Sequence, residues 1–182
     1  MSIFSLENYQ HLLQKCQCEY KLLKGCESHP EYDFLLFNLV VSLNHLFDWF
    51  LKENSISEHT KSKCIIKFNP FISLDDIPSD FKGYYKKLNA FPPLNEFQEV
   101  IRKLCNKAKH FKKKTIESQG KNYTCGAGDD SVECGNPEIV CGTFNHYLYF
   151  VEISGEDINL EALISKHLID WECFLNDIKL GD

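Results

Sequence analysis

Residues 30–53, PEYDFLLFNLVVSLNHLFDWFLKE, constrain the fold more than any other segment. Pro30 suits the first turn of a helix. From Phe34 to Leu51 the apolar residues point in nearly every direction around a helical axis. A helix that is apolar all round is buried, so this segment predicts a central helix with others packed around it.

The remaining segments supply those partners. Residues 5–24 carry a loose apolar face through Leu6, Leu12, Leu13, Leu22 and Leu23, with Ser5 as the expected cap and Gly25 as the stop. Short helices are expected near 57–67 and 79–89, separated by FNPFISLDDIPSD, a loop with two prolines. FPP at 91–93 interrupts the chain. From 94 to 113, Phe97, Ile101, Leu104, Ala108 and Phe111 recur at three- and four-residue steps and predict a strong helix. Residues 118–142 are rich in Gly, Ser, Asn and Asp and predict irregular or extended chain. TFNHYLYFVEIS, 143–154, alternates and is aromatic and β-branched, so it reads as a strand turned by SGED. A closing helix is expected over 158–178.

The predicted fold is therefore mainly α: an antiparallel helical bundle with a small β-element near residues 143–153. Helices 30–53, 94–113 and 158–178 form its heart, with Trp49 and Trp171 in the core or at its edge. At 182 residues, one domain over 1–182 is expected, with no linker to a second. Hydrophobic residues at 43% and aromatic residues at 13% exclude a disordered chain. The N-terminus, MSIFSLENYQHLLQK, lacks a basic start followed by an apolar core, and no apolar run of about 18 residues is free of polar interruption. The expectation is a cytoplasmic protein without a membrane span. Its nine cysteines, an odd number, then read as reduced thiols.

Polar residues within the central segment point to a site. On a helix with about 100° per residue, Asn38, Ser42, His45 and Trp49 share one narrow strip, and Asp48 lies beside His45. Buried polar groups need partners, because an unsatisfied one costs on the order of 1–3 kcal/mol. The helix over 94–113 offers Arg102, Asn106, Lys109 and His110 on the side opposite its apolar face. Asn106 and His110, four residues apart, are neighbours on that side. Were the two polar edges adjacent, His45, Asp48, Asn106 and His110 would converge. A carboxylate beside imidazoles is material for acid–base chemistry or for a metal. The competing structural reading is a histidine that satisfies a core partner and a polar edge that is only solvated.

Residues 102–114, RKLCNKAKHFKKK, hold seven Lys or Arg and no acid, on a chain of formal charge −6. Such an edge suits phosphates, and it equally suits a solvated helix end, where cations are favoured. Cys125, Cys134 and Cys141 are each followed by Gly, but spacings of nine and seven do not match a zinc site. LDDIPSD, 74–80, reads as a cap and a solvated loop, with Ser79 or Asp80 starting the next helix. Neither a phosphate-binding GK[ST] loop nor a G-x-S-x-G elbow occurs. No metal or cofactor is expected.

Taken together, FNLVVSLNHLFDWF, IRKLCNKAKHF, the Gly-rich segment and the WECFL end resemble a group of uncharacterised bacterial proteins. That group carries a His-x-x-Asp-Trp element and a later Asn-x-x-Lys-His-Phe element. Here these are His45, Asp48 and Trp49, then Asn106, Lys109, His110 and Phe111. CNKAKH, 105–110, has a looser likeness to HEPN domains, helical bundles that often act as metal-independent ribonucleases in toxin and phage-defence systems. Their hallmark is Arg, a polar residue, then His. Cys105 stands where that Arg would be, and Arg102 lies seven intervening residues before His110. The likeness implies His110 as the acid–base group, with Asn106 orienting it and Arg102 or Lys109 holding phosphate. His45 and Asp48 would support them, and two subunits would share one site. Two functions are thus expected as alternatives. One is a HEPN-like module acting on RNA or a nucleotide through the edge at 102–114. The other is a non-enzymatic helical protein that binds a partner or dimerises, its polar cluster purely structural.

Overall fold

The computed structural model describes residues 6–26, 28, 30–110, 119–123 and 146–181, of which 107–110, 119–123, 146–148 and 179–181 are described by backbone alone. Within these residues the protein is mainly helical, with a small antiparallel sheet. The order is α1 (Tyr9–Lys24), α2 (Glu31–Lys52), α3 (Glu58–Phe68), a 3-10 turn (Leu74–Asp76), α4 (Ser79–Tyr85), α5 (Glu96–His110), β1 (Gln119–Tyr123), β2 (His146–Ile153), β3 (Glu156–Asn159) and α6 (Leu160–Gly181).

The central helix is α2, packed most extensively against α1 and then α5. Leu39, Leu43, Leu46, Phe47, Phe50 and Leu51 are fully buried along it. By length and composition alone α2 would suffice to cross a membrane, a property it shares with any apolar core helix. Aromatic rings fill the space between α2, α3 and α6. Phe68 stacks on Trp171 with centroids 4.2 Å apart and planes 2° from parallel, while Phe50 and Phe174 meet this pair edge-on or tilted. Trp171 is fully buried, and Trp49 packs against the core while partly exposed.

Local chemistry sets the boundaries. α1 begins four residues later than its apolar face suggests, because Asn8 is the cap and accepts the His11 N–H at 3.0 Å. Ser5 lies outside the described residues. α3 starts at the Ser57 cap, which accepts the Thr60 N–H at 3.1 Å. α4 ends at Tyr85, short of the expected 89.

The closing helix also starts late. Glu156–Asn159, assigned from sequence partly to the turn and partly to that helix, instead form β3. Ser154 and Gly155 make the hairpin turn at φ 53° and 85°, a left-handed pair that suits the twist of the flanking strands. β2 then pairs with β3 in the register Val151↔Ile158 and Ile153↔Glu156, burying Val151 and Ile153 against the bundle. Asn159 ends the strand and caps α6 by accepting the Glu161 N–H at 2.8 Å. On its other edge β2 pairs with β1, so the strand order is β1-β2-β3. The sheet is tied to α2 where Tyr149 donates to Asp33 at 2.5 Å. Most of the Gly-rich segment 118–142, including Cys125, Cys134 and Cys141, lies outside the described residues.

Candidate functional site

The polar strip of α2 divides between two neighbours. Ser42, one turn before His45, is buried against α1. Lys15 Nζ donates to Ser42 Oγ at 2.6 Å and pairs with Glu19 at 2.6 Å, while the Ser42 hydroxyl lies 2.8 Å from the Asn38 carbonyl and 3.1 Å from Glu19. The partner that sequence reasoning sought on α5 comes instead from α1 at this position.

His45 and Asp48 pair with each other. Nδ1 of the imidazole is 3.5 Å from Oδ2 of the carboxylate, with the two side chains 38% and 29% exposed. That separation exceeds a direct N–H···O hydrogen bond, and the contact is an ion pair only when the imidazole is protonated. Three residues of spacing put both groups on one face of the helix, within reach of solvent. An imidazole and a carboxylate in this arrangement can exchange protons with a ligand laid along α2.

On α5 the buried side is Val100, Ile101 and Cys105, with Phe97 and Leu104 partly buried beside them. Asn106 is exposed. Arg102 is partly buried and engaged: its Nε donates to the Pro70 carbonyl at 3.3 Å, and its guanidinium lies 5.2 Å from the Phe71 ring centroid. These contacts hold the loop after α3 against α5 and use one of the five N–H donors of the group that the HEPN likeness casts as a phosphate holder. The side chains of Lys109 and His110 lie outside the described residues, as does the basic run 111–114. Of the six predicted residues, His45 and Asp48 are thus brought together, Arg102 is committed to the loop, and Asn106 faces solvent.

Sequence reasoning missed Asn69. It is fully buried, and its side chain joins three segments: its own loop, α4 and the Pro92–Pro93 segment. Nδ2 donates toward the carbonyls of Phe71, Pro92 and Pro93 at 2.9, 3.0 and 3.2 Å. Oδ1 accepts from the Phe71 N–H at 3.1 Å and the Tyr85 hydroxyl at 2.8 Å. Its backbone carbonyl accepts the Asn95 N–H at 2.8 Å, and Asn95 in turn caps α5 through the Gln98 N–H at 2.8 Å. Burial pushes the Tyr85 phenol well above its ordinary range, which keeps it a donor. The signal in the sequence was Asn within two residues of proline, in NPF and again in FPPLN, flanking the loop they close.

A cleft of about 470 Å³ lies between α1 and α6, lined by Gln10, Leu13, Gln14, Glu172, Leu175 and their neighbours, with none of the candidate site residues in its wall. Among the described residues, no group of three or more His, Cys, Asp or Glu side chains is arranged to hold a metal ion. No protein-family model matches the sequence, no curated protein is significantly similar to it, and no solved structure matches the fold.

Proposed function

We propose that the protein is a HEPN-like helical module acting on RNA or a nucleotide, with His45 and Asp48 in the reacting centre beside α5. The observation that carries this reading is the solvent-accessible imidazole–carboxylate pair at 3.5 Å on α2, the helix against which α5 packs. α5 supplies Asn106 and, at its last turns, Lys109 and His110. In this reading a histidine takes the proton of a 2′-hydroxyl or returns one to the leaving oxygen, and lysines of the basic edge hold the phosphate. Arg102 gives its Nε to the Pro70 carbonyl, so in this reading any phosphate contact from it is made by the outer guanidinium nitrogens, with Lys109 as the alternative.

The test is cleavage of single-stranded RNA by the purified full-length chain. Cleavage is expected to persist in chelator and to fall at least about 100-fold in His110→Ala and in His45→Ala, in keeping with the usual size of acid–base contributions. Circular dichroism should show both variants folded. Activity equal to wild type in both variants sinks the reading.

The engagement of Arg102 favours a second reading, a non-enzymatic helical protein that binds a partner or a second copy of itself. It expects no cleavage of RNA, with His110→Ala and Asp48→Ala altering stability alone.

A further inference from the structure

Lys52, at the C-terminal end of α2, lies four residues beyond Asp48 and seven beyond His45. At about 100° per residue, all three share one face of the helix. The Lys52 ammonium sits 5.2 Å from the centroid of the Phe81 ring. Next to Phe81, with centroids 6.4 Å apart, is Tyr84. The ammonium groups of Lys61 from α3 and Lys87 from the turn after α4 lie 5.4 and 5.9 Å from the Tyr84 centroid. Lys82 and Lys86 are exposed on the same short segment. Three ammonium groups from three parts of the chain therefore gather on two adjoining rings.

The carboxylates near Lys52 and Lys87 hold them loosely. Asp80 is 3.5 Å from Lys52 and Glu58 is 2.7 Å from Lys87, with every side chain of both pairs more than half exposed. Exposed pairs of this kind are worth about 0–1 kcal/mol, so a phosphate displaces the carboxylate at little cost. Glu53 turns its carboxylate to the Ser55 N–H at 3.2 Å. Lys61 is buried, and its ammonium against the Tyr84 ring adds positive potential from beneath the surface. An ammonium over a ring keeps its charge available to an anion.

We propose that this lysine–aromatic surface binds the phosphates of a single-stranded nucleic acid and leads the strand along α2 to the His45–Asp48 pair. Tyr84 is partly exposed, and a base stacks on its ring as the Lys87 ammonium over that ring moves to a phosphate, while the exposed lysines follow the backbone, as single-strand binding requires. A lipid surface is a poorer match, because Phe81 is buried and offers nothing to insert. What happens to the strand at the pair rests on the function proposed above; its capture does not.

The experiment measures fluorescence anisotropy of a labelled oligouridine with the full-length chain across a potassium chloride series. Wild type binds, and its affinity falls with salt. Replacing two ammonium groups in Lys52→Ala/Lys87→Ala reduces the slope of log affinity against log salt by about 1.4, roughly 0.7 for each phosphate no longer neutralised. Glu58→Gln, which frees Lys87, tightens binding severalfold. Lys21→Ala, on the exposed side of α1, leaves slope and affinity unchanged. The proposal is overturned if wild type does not bind at low salt, if the double variant keeps the wild-type slope, or if the chain binds phosphatidylcholine–phosphatidylserine vesicles and ignores the RNA. Binding of this form without cleavage leaves the surface standing and removes the catalytic reading. Cleavage with an unaltered slope in the double variant does the reverse.

Discussion

His167 shows how much one buried side chain can commit a fold to a pH range. It is fully buried against Phe68 and Trp171, and its Nε2 accepts the Trp171 indole N–H at 3.2 Å. Burial lowers its pKa from 6.5 to about 4. The folded state thus refuses a proton that the unfolded chain accepts below pH 6.5. Its contribution to stability is complete above that pH and is lost as pH falls toward 4, by roughly 3 kcal/mol at about 1.4 kcal/mol per pH unit. Urea midpoints measured between about pH 7 and pH 4 should show this loss, and His167→Gln, which retains an acceptor for Trp171 but does not titrate, should flatten it. Asn69 makes a different commitment. Asn69→Ala leaves the Tyr85 hydroxyl and the Phe71 N–H without their acceptor in a dry interior, at a cost on the order of 3 kcal/mol. An unchanged urea midpoint for this variant would show that the loop closes without it. Sequence reasoning assigned neither role, although NPF and FPPLN marked the loop that Asn69 closes. A lone His or Asn in the sequence looks the same whether it faces solvent or the core.

At the scale of elements, long apolar periodicity was easy to read and short boundaries were not. Helices α2, α5 and α6 lie where their apolar spacing places them, because each must bury a face. The segment Glu156–Asn159 was misread because Ile158 continues the apolar pattern of α6 equally well as the last inward residue of a strand. Only pairing with β2 across the Ser154–Gly155 turn decides between them. The polar strip of α2 was read correctly as a strip, yet Ser42 turned to α1 and left His45 and Asp48 as a separate pair. A helical wheel gives the direction of each side chain without saying which neighbour stands there. The cap of α5 offers a test at this scale. Asn95→Ala removes the acceptor for Gln98 N–H and the donor to the Lys67 carbonyl, and should cost about 1–2 kcal/mol in chemical denaturation with the helical circular dichroism spectrum retained. The aromatic stack between α3 and α6 is a larger determinant: Phe68→Ala should cost about 3–5 kcal/mol, because it opens a cavity beneath Trp171.

For the molecule as a whole, the cysteines report on opening. Cys16, Cys64 and Cys105 are buried, whereas Cys18 and Cys173 are exposed. Burial pushes the Cys16 thiol up to about 12 and the Cys64 thiol well above its ordinary value, so neither forms the reactive thiolate while the core is closed. Among the cysteines of the described residues, mass spectrometry after brief exposure to a maleimide should find Cys18 and Cys173 modified first. Cys16, Cys64 and Cys105 should follow together, at the rate of global unfolding. Labelling of Cys64 as fast as Cys173 would mean that α3 opens separately from the rest. By itself the sequence determined the helical class and the central place of residues 31–52, because these follow from periodicity and the cost of leaving apolar surface in water; it did not give burial residue by residue, since Phe34 and Phe37 of α2 and Leu22 of α1 stay exposed. The tertiary structure alone decided that Ser42 meets α1, that Arg102 closes a loop and that Lys52, Lys61 and Lys87 gather on Phe81 and Tyr84. Those contacts join residues far apart in the chain, and the packing of one helix on another sets them where no local spacing can.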